Sequence, residues 1–358
     1  MSVQPVLQLD RVSKSFGPVK VIDSVSIDVH AGHVQALLGE NGAGKSTLIK
    51  MMAGVYQPDS GRILVDGTPT TLPNVKAAEA HGIATIHQEL NLVPTMTVAE
   101  NLMLGRTPSR WGLVDYKALR KKALKALRMI GVDVSLDTPV GELGIARQQL
   151  VEIAKALSFD VEVLIMDEPT SALTEKEIDK LFELVNKLRA KGVSIVYISH
   201  RMEELKRICD HITIFRDGTY VSDHPFHEIS MDEIITKMVG RPLGNHFPPK
   251  TAVVDENEVV MSVMQAERYG VFEALDFALF KGEILGITGL VGAKRTELAR
   301  AIFGADPLDA GEVFVHHNKV TIHSPADSIK AGIAYLSEDR KLNGVAVRMS
   351  IRENITMA

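Results

Sequence analysis

The sequence has little of several features that mark specialised classes of protein. It holds one cysteine, Cys209, so no disulfide forms within the chain, and a reducing compartment is favoured. No apolar run reaches the roughly 18 residues that a membrane span needs, so we expect any membrane role to go through a partner protein. The 40 basic and 45 acidic residues give a net charge of −5, and this balance does not favour a nucleic-acid partner.

What the sequence does contain is an internal repeat, in which residue 39 matches residue 289. Segment 21–65 resembles segment 271–315, and the likeness continues at 331–340 and 350–355. The shared positions include Gly32, Gly39, Gly42, Leu48, Gly54 and Gly61, which fall on Gly282, Gly289, Gly292, Leu298, Gly304 and Gly311.

The repeat predicts two domains joined by a polar connection. We place the first domain at 1–245, with a helical subdomain at about 92–160. The linker is 246–258, which contains the adjacent Pro248 and Pro249, and an incomplete second copy spans 259–358. We expect this second copy to be less stable than the first, because its apolar strand would lack flanking strands and expose an unpaired edge.

Apolar patterning places strands and helices around the repeat. Strands alternating with helices favour an α/β domain with a parallel sheet. One predicted helix, at 115–131, is amphipathic. Its basic residues are most simply a solvated face, and a binding surface is the alternative. Strands are predicted in VQALLG (34–39), VEVLIMDE (161–168) and VSIVYISH (193–200), and helices in KSTLIKMMAG (45–54) and DYKALRKKALKALRMIG (115–131).

The stretch GENGAGKST at 39–47 matches the P-loop pattern in full. Its glycines allow the backbone to wrap tightly and point N–H groups at phosphate oxygens. Lys45 is expected to reach the β- and γ-phosphates, and Ser46 to ligate Mg²⁺. A chance glycine turn is the alternative, but the strand before the loop and the helix after it favour phosphate binding. The predicted nucleotide contacts are Gly39, Glu40, Asn41, Gly42, Ala43, Gly44, Lys45, Ser46 and Thr47.

A second candidate element is LIMDEPTSAL at 164–173. Its apolar strand delivers Asp167 and Glu168 to the carboxyl end of a sheet, where ligands bind in open α/β folds. We expect Asp167 to hold Mg²⁺ through water and Glu168 to polarise the attacking water. A pair of surface acids at a strand end is the alternative, and the P-loop upstream disfavours it.

These motifs follow one another in a set order along the chain. The P-loop precedes Gln88 in IHQE, then MDEPTSAL, then His200 in YISHRMEEL. In this order the sequence resembles the ATPases of ABC transporters. GEILGITGLVGAKRTEL and YLSEDRKLNG further resemble the tandem sugar-importer branch of the ribose, galactose and xylose type.

The resemblance implies a fold and a function. It implies an α/β P-loop NTPase of the ABC type, with a mixed or parallel sheet and a helical subdomain. The chain would bind ATP and Mg²⁺ and hydrolyse ATP to energise monosaccharide import. Its partners would be membrane permease subunits and, indirectly, a solute-binding protein, with no nucleic acid. It would be a peripheral protein on the cytoplasmic face of the inner membrane.

The resemblance also assigns roles to individual residues. Phe16 would stack on adenine, although a core phenylalanine is the alternative for that position. Gln88 would contact Mg²⁺ and the attacking water and sense the membrane partner. His200 would hold the γ-phosphate and position Glu168. The catalytic residues are therefore expected to be Lys45, Glu168 and His200, and the metal ligands Ser46, Gln88 and Asp167.

The sequence departs from this family at three places. LGIARQQ at 143–149 stands where the family has LSGGQ, so Gly144 replaces the serine and Ala146 replaces a glycine. GLVGAKRTE at 289–297 is an altered P-loop with Lys294 and Arg295 in place of glycine and lysine, and Glu338 replaces the glutamine that matches Gln88. Since LGIARQQ and GLVGAKRTE would form one composite site, we expect one hydrolytic site and one degenerate site. Nucleotide binding without turnover stays open for the degenerate site.

The sequence leaves open both the activity of this chain and its assembly. The chain is either a working ATPase subunit or a truncated nucleotide-binding module with little or no turnover. Two chains could also pair as a homodimer, each first domain using the partner's LGIARQQ. A tandem ABC protein of translation or DNA repair is disfavoured by the short linker, the altered second loop and the net charge.

Overall fold

The chain divides into two units, Met1–His246 and Phe247–Ala358. The computed structural model describes residues 4–87, 90–170, 173–241, 254–290, 292–337 and 344–357. The domain limits stated above, 1–245 and 259–358, stay a prediction, and Pro248 and Pro249 lie outside the described residues. Within the described ranges, no helix has the length and apolar character to cross a bilayer.

The first unit contains two sheets, a short hairpin and a set of helices. Its strands are β1 (Leu7–Phe16), β2 (Val19–Val29), β3 (Val34–Leu38), β4 (Ser60–Val65), β5 (Thr68–Thr70), β6 (Ile83–Ile86), β7 (Ser109–Arg110), β8 (Leu113–Val114), β9 (Val163–Asp167), β10 (Ser194–Ile198), β11 (His211–Arg216) and β12 (Thr219–Pro225). Its helices are α1 (Lys45–Met52), α2 (Val75–Ala80), α3 (Val98–Met103), α4 (Tyr116–Ile130), α5 (Ile145–Ala156), α6 (Glu175–Arg189), α7 (Met202–Ile208) and α8 (Met231–Val239).

The central sheet of this unit has the strand order β12-β11-β3-β10-β9-β6. Strands β11, β3, β10, β9 and β6 pair in parallel, and β12 pairs antiparallel at the edge. Every residue of β3 is buried, as expected for a strand that is covered on both faces. The predicted mixed sheet is therefore confirmed, and the carboxyl ends of β3, β9 and β10 lie at the same edge.

The helices agree with the predictions to within two residues. α1 ends at Met52 rather than Gly54, and Gly54 follows in the left-handed conformation with φ 73°. α4 is capped by the Asp115 side chain and closed by Gly131. Helices α3, α4 and α5 share a hydrophobic cluster of their own, which includes Leu102 and Leu127. This cluster is the core of a helical subdomain.

The second unit contains a smaller antiparallel sheet. Its strands are β13 (Asp255–Arg268), β14 (Phe272–Lys281), β15 (Ala310–Val315) and β16 (Asn318–Val320), and its helices are α9 (Arg295–Ile302), α10 (Pro325–Lys330) and α11 (Ile351–Thr356). The strand order β14-β13-β15-β16 corresponds to β2-β1-β4-β5 of the first unit. The register corresponds too: Leu9 pairs with Ile27 and Ile63, while Val263 pairs with Phe277 and Val313.

One expectation about the second unit needs correction. The stretch at 284–288, which matches β3, was expected to be an apolar strand with an unpaired edge. It is not a strand, and its apolar side chains are open to solvent, with Ile284 97% exposed and Leu290, just beyond, 87% exposed. A strand forms only where neighbours accept its backbone hydrogen bonds, and no described strand of this unit pairs with that stretch. The lower stability of 259–358 stays a prediction.

Candidate nucleotide-binding site

The glycines of 39–47 occupy positions where no side chain fits. A Cβ on Gly39 would lie 2.5 Å from the carbonyl oxygen of Phe215. Gly44 has φ 96°, and a Cβ there would lie 2.3 Å from Cδ1 of Ile22. The loop therefore passes directly over β2 and β11 and then enters α1, whose first amides point back toward the loop.

Lys45 closes the loop from inside. Its Nζ donates hydrogen bonds to the carbonyl oxygens of Gly39, at 2.6 Å, and of Glu40, at 3.0 Å. Burial lowers the pKa of Lys45, and the negative charges of Asp167 and Glu168 oppose that shift. The ammonium group is thus partly desolvated and directed at the centre of the loop, so an anion entering the loop would meet a cation already in place.

The acidic pair lies at the end of β9, beside the loop. Asp167 pairs with Ile198 of β10, and the amide of Glu168 donates to the carbonyl oxygen of Ile198 at 3.0 Å. Burial raises the pKa of Asp167, the neighbouring Glu168 raises it further, and Lys45 opposes the shift. Glu168 has φ 49°, a left-handed conformation that a glutamate seldom adopts.

His200 lies directly after β10 and contacts the second carboxylate. Its Nε2 is 2.6 Å from Oε1 of Glu168. Because β9 and β10 are parallel neighbours, both side chains leave the sheet at the same edge. Sequence order alone separates these two residues by an entire helix, α6, so it is the sheet that brings them together.

The predicted residues share one open cavity of about 340 Å³. Its lining includes Asn41, Gly42, Gly44, Lys45, Ser46, Thr47, Asp167, Glu168 and His200. Gly39, Glu40 and Ala43 belong to the same loop but do not line the cavity, and Ala43 is buried beneath it. Gln88 and Glu338 lie outside the described residues.

Phe16 lies at the end of β1, away from this lining. Its ring is 41% exposed and packs edge-on against Tyr56, with the ring centroids 5.2 Å apart. The ammonium of Lys14 lies 5.8 Å from the Phe16 centroid. The exposed ring is accessible to a planar partner, and its stacking on adenine stays a prediction.

A buried carboxylate that sequence reasoning missed connects the loops of the site. Oε2 of Glu204, in α7, accepts hydrogen bonds from Thr170 at 3.0 Å, Tyr197 at 2.9 Å and Ser199 at 2.8 Å. Its Oε1 accepts from Arg201 at 3.1 Å. Burial raises the pKa of Tyr197, so its hydroxyl stays protonated and donates. The network connects the segment after Glu168 to the segment around His200, and the glutamate in YISHRMEEL gave no signal of this role.

A second group that sequence reasoning missed holds the chain at Asn91, three residues after Gln88. The amide of Asn91 donates to Oε2 of Glu152 at 3.0 Å, and Nζ of Lys155 donates to the Asn91 carbonyl oxygen at 2.9 Å. Burial raises the pKa of Glu152. Both side chains come from α5, the helix that LGIARQQ begins. This helix is therefore attached to the segment that follows Gln88.

The beginning of α5 shows what its altered sequence changes. Gly144 caps the helix with no side-chain hydrogen bond, and a Cβ there would meet nothing within 4 Å. Ile145 at the first helical position is exposed. The glycine is therefore not required by packing, and a serine would fit in its place.

Where it enters its helix, the altered loop of the second unit has the same backbone conformation as the first loop. Lys294 adopts φ 65° directly before α9, as Gly44 does before α1. A Cβ on Gly289 would lie 2.8 Å from that of Ala293. The Lys294 ammonium pairs with Glu297 at 3.3 Å.

The fold and the site together define a class of protein. A P-loop lies between a buried strand and a helix, an Asp–Glu pair ends the strand two places along the sheet, and a histidine ends the strand between them. With the helical subdomain inserted between β6 and β9, this arrangement is that of a P-loop NTPase of the ATP-binding-cassette type.

Comparisons with known proteins agree with this class. The family model described as ABC transporter matches residues 22–171. A nucleotide-free ATP-binding cassette from an ABC transporter is 28% identical and covers 66% of this chain and 96% of its own, with a TM-score of 0.58. The ADP conformation of another such cassette is 29% identical, covers 65% of this chain and 94% of its own, and has a TM-score of 0.56.

Curated sequences are more similar still. The ribose import ATP-binding protein RbsA of Corynebacterium glutamicum is 55% identical over 99% of this chain and 67% of its own length. The putative ribose/galactose/methyl galactoside import ATP-binding protein 1 of Agrobacterium fabrum is 52% identical over 99% of this chain and 70% of its own. The chain belongs to the ABC transporter family of ATP-binding proteins, in the branch that contains these import proteins.

Proposed function

We propose that this chain is the ATP-hydrolysing subunit that energises import of a monosaccharide through a membrane ABC transporter. Its relatives are named for ribose and galactose import, which supports the substrate class. The observation that carries the hydrolytic role is the 2.6 Å contact between His200 and Glu168 beside the P-loop. A carboxylate oriented by a histidine next to a phosphate-binding loop is suited to activating water.

The residues of the first loop account for nucleotide binding. The backbone amides of 42–47 and the N-terminus of α1 present positive potential to the β- and γ-phosphates. Lys45 would exchange its two carbonyl partners for phosphate oxygens, which are stronger acceptors. Phe16 would stack on adenine from outside the cavity, with Tyr56 supporting its ring.

Hydrolysis then requires one proton transfer. Water attacks the γ-phosphorus, its proton passes to Glu168, and ADP leaves with the bridging oxygen. His200 would hold the Glu168 carboxylate in place, and the family resemblance gives it a further contact with a γ-phosphate oxygen. The left-handed backbone at Glu168 is strain of the kind found at functional sites.

Magnesium fits the oxygen ligands that the cavity offers. Ser46 and Asp167 both line it, and a hydroxyl and a carboxylate are ligands that Mg²⁺ accepts. Among the described residues no group of three or more His, Cys, Asp or Glu side chains could hold a metal by itself. Bound Mg²⁺ would neutralise phosphate charge. Gln88 remains a proposed further ligand.

A groove beside the segment after Gln88 is the proposed contact for the permease. It lies between the central sheet and the helical subdomain and includes Glu79, His87, Arg106, Glu152 and Lys155. Because Glu152 and Lys155 also hold Asn91, a partner in this groove would act on the segment that follows Gln88. We further propose a peripheral location at the cytoplasmic face of the inner membrane, with a solute-binding protein as an indirect partner.

Homodimerisation is the proposed way to complete the hydrolytic site. The exposed start of α5 on one chain would face the P-loop of the other. Its amides would supply the N-terminal dipole that a γ-phosphate favours. Size measurement of the Glu168→Gln variant with and without ATP tests this directly, and a monomer under both conditions contradicts it.

Steady-state ATP hydrolysis by the wild-type chain and by Glu168→Gln tests the proposed function. We expect the variant to be slower by about 10²–10⁴-fold, because it cannot accept the proton. Glu183→Gln, an exposed glutamate on α6, removes the same charge and should leave the rate unchanged. Equal rates for wild type and Glu168→Gln, with nucleotide still bound, would instead support a binding module without turnover.

A further inference from the structure

The hairpin formed by β7 and β8 presents the only tryptophan of the chain to solvent. Trp111 is 90% exposed at the tip, and Leu113 on the returning strand is 76% exposed. Trp111 has φ 58° and Gly112 has φ 81°, so both turn residues are left-handed. A bulky aromatic residue is unfavourable there, and the turn geometry alone does not account for it.

The hairpin leads directly into a basic helix. The Asp115 amide donates to the Pro108 carbonyl oxygen at 2.9 Å, which closes the hairpin, and the Asp115 side chain caps α4. The helix then presents Tyr116, which is exposed, and a series of lysines. We call this surface the hairpin–α4 patch. It comprises Trp111, Leu113 and Tyr116 with the basic residues Arg110, Lys117, Lys121, Lys122, Lys125 and Arg128.

The basic residues of the patch are not balanced by acids. Within the described ranges, none of the six forms an ion pair with a carboxylate, and the sequence of α4 contains no Asp or Glu. Lys117, Lys121 and Lys125 follow one another at a spacing of four, where like charges destabilise a helix. A solvated face would be more stable with mixed signs, and the rest of the chain is acidic enough to give a net charge of −5.

The side chains between these lysines also matter. Lys121, Lys122, Lys125 and Arg128 line a shallow groove together with Leu124 and Met129, both of which are exposed. The opposite face of α4, with Leu119, Ala123 and Leu127, is buried in the helical subdomain. One face of the helix is thus used for packing, while the other combines positive charge with apolar area.

We propose that the hairpin–α4 patch binds directly to the surface of an anionic lipid bilayer. Lysine and arginine near such a surface each strengthen binding about fivefold, and tryptophan and tyrosine favour the interface between water and hydrocarbon. Leu113, Leu124 and Met129, which are exposed, would enter the headgroup region, as the apolar face of an interfacial helix does. This departs from the expectation that membrane contact goes only through a partner protein.

The fluorescence of Trp111 reports on this contact without labelling, because the chain has no other tryptophan. The full chain is mixed with vesicles of phosphatidylcholine alone, or of phosphatidylcholine with phosphatidylglycerol, at low salt. We expect a blue shift and co-sedimentation with the anionic vesicles only, both reversed by molar salt, which shortens the Debye length to about 3 Å. Equal binding to neutral vesicles would overturn the proposal.

Charge variants distinguish binding through the hairpin–α4 patch from non-specific attraction between the positive charges of the chain and anionic vesicles. Lys121→Gln, Lys122→Gln and Lys125→Gln combined should weaken vesicle binding about a hundredfold, from roughly fivefold per charge. The matched control changes Lys176, Lys180 and Lys187, exposed lysines of α6, to glutamine and should alter binding less than twofold. Equal loss in the control would contradict the proposal, because it would show that only net charge matters.

Two further outcomes would overturn the lipid assignment. Sedimentation with anionic vesicles while the Trp111 spectrum stays unchanged would place the contact on another face. A blue shift with RNA but not with vesicles would identify the patch as a nucleic-acid surface. Trp111→Ser combined with Leu113→Ser should reduce sedimentation severalfold without changing nucleotide affinity, since the patch shares no residue with the P-loop cavity. The lipid proposal therefore stands or falls independently of the proposed function.

Discussion

The loops at 39–47 and 289–297 enter their helices with the same backbone conformation but have very different surroundings. Each is followed by a helix of eight residues, and each has a left-handed residue directly before that helix. The first follows a buried strand of the central sheet, whereas the second follows an exposed stretch that is not a strand. Only the first has an acidic pair and a histidine beside it among the described residues.

The comparison shows that the conformation of a phosphate-binding loop and the catalytic groups beside it have different structural origins. The two antiparallel sheets keep the same order and register in both units, so the loop is supported from one side in each. Within the described ranges, the second loop has no counterparts of the parallel strands β9 and β10, whose ends lead into Asp167, Glu168 and His200. A loop that can wrap a phosphate is therefore not enough, because the neighbouring strands supply the groups that act on it.

The largest expected effect comes from breaking the buried hydrogen-bond network around Glu204, which lies near the first loop. Glu204→Ala should lower the free energy of unfolding of the first unit by about 3 kcal/mol, because three buried hydroxyls and Arg201 lose their acceptor. It should also slow ATP hydrolysis, since the segments of Glu168 and His200 lose their common anchor. Hydrogen exchange of β3 amides measures the first effect.

The matched control for that change is the neighbouring Glu203→Ala. Glu203 is exposed and pairs only with Lys206 at the surface, so its loss should cost less than about 0.5 kcal/mol. If the β3 amides exchange at the same rate in Glu204→Ala and Glu203→Ala, the buried network does not stabilise the site.

Removing the cation from each loop in turn tests the chemical difference. Lys45→Ala should weaken ATP binding by about 10- to 100-fold, from the loss of roughly 1.5–3 kcal/mol of charge-assisted hydrogen bonding. Arg295→Ala should leave the affinity unchanged, because the second loop contributes no site. Titration calorimetry measures both, and a loss of the observed heat in Arg295→Ala would reverse the assignment.

Glycine substitution tests the steric difference. Gly44→Ala should cost the first unit about 1–2 kcal/mol, because alanine is strained at φ 96° and its Cβ meets Ile22. Lys294→Gly should change the stability of the second unit by less than about 0.5 kcal/mol, since relief of left-handed strain and lost chain entropy offset each other. Exchange of β3 and β13 amides compares the two, and equal destabilisation would show that the loops are sterically equivalent.

The smallest expected effect concerns pH. Burial raises the pKa of Glu152, so the folded chain binds more protons than the unfolded chain just above the ordinary glutamate pKa. The free energy of unfolding should then fall as pH rises through that window. Glu152→Gln should flatten this fall while its oxygen still accepts from Asn91. An identical pH profile for both proteins would mean that Glu152 is not responsible.

Some of this arrangement could be predicted from residues alone. The glycines of 39–47 permit one local geometry, and the apolar runs before Gly39 and Asp167 identify strands whose carboxyl ends meet at one edge. That was sufficient to bring Lys45, Asp167 and Glu168 together. The family resemblance supplied His200, since a single histidine carries no such signal.

Other parts depend on tertiary contacts that leave no pattern in the sequence. Glu204 lies in a charged helix, so the sequence pattern indicates a solvated residue. In the structure, β10 and the turn after Glu168 bury it. The stretch at 284–288 is apolar like β3, and its lack of flanking strands was expected, but composition does not show that the stretch then forms no strand at all. The left-handed backbone of Glu168 likewise follows from the junction of two strands rather than from the residue itself.

The most direct test of the account is amide exchange of the full chain with and without ATP and Mg²⁺. We predict that the amides of Gly42 to Thr47 exchange more slowly when nucleotide is present, while those of Gly292 to Glu297 are unchanged. Slower exchange in the second loop, with no change in the first, would contradict the claim that only the first loop binds nucleotide.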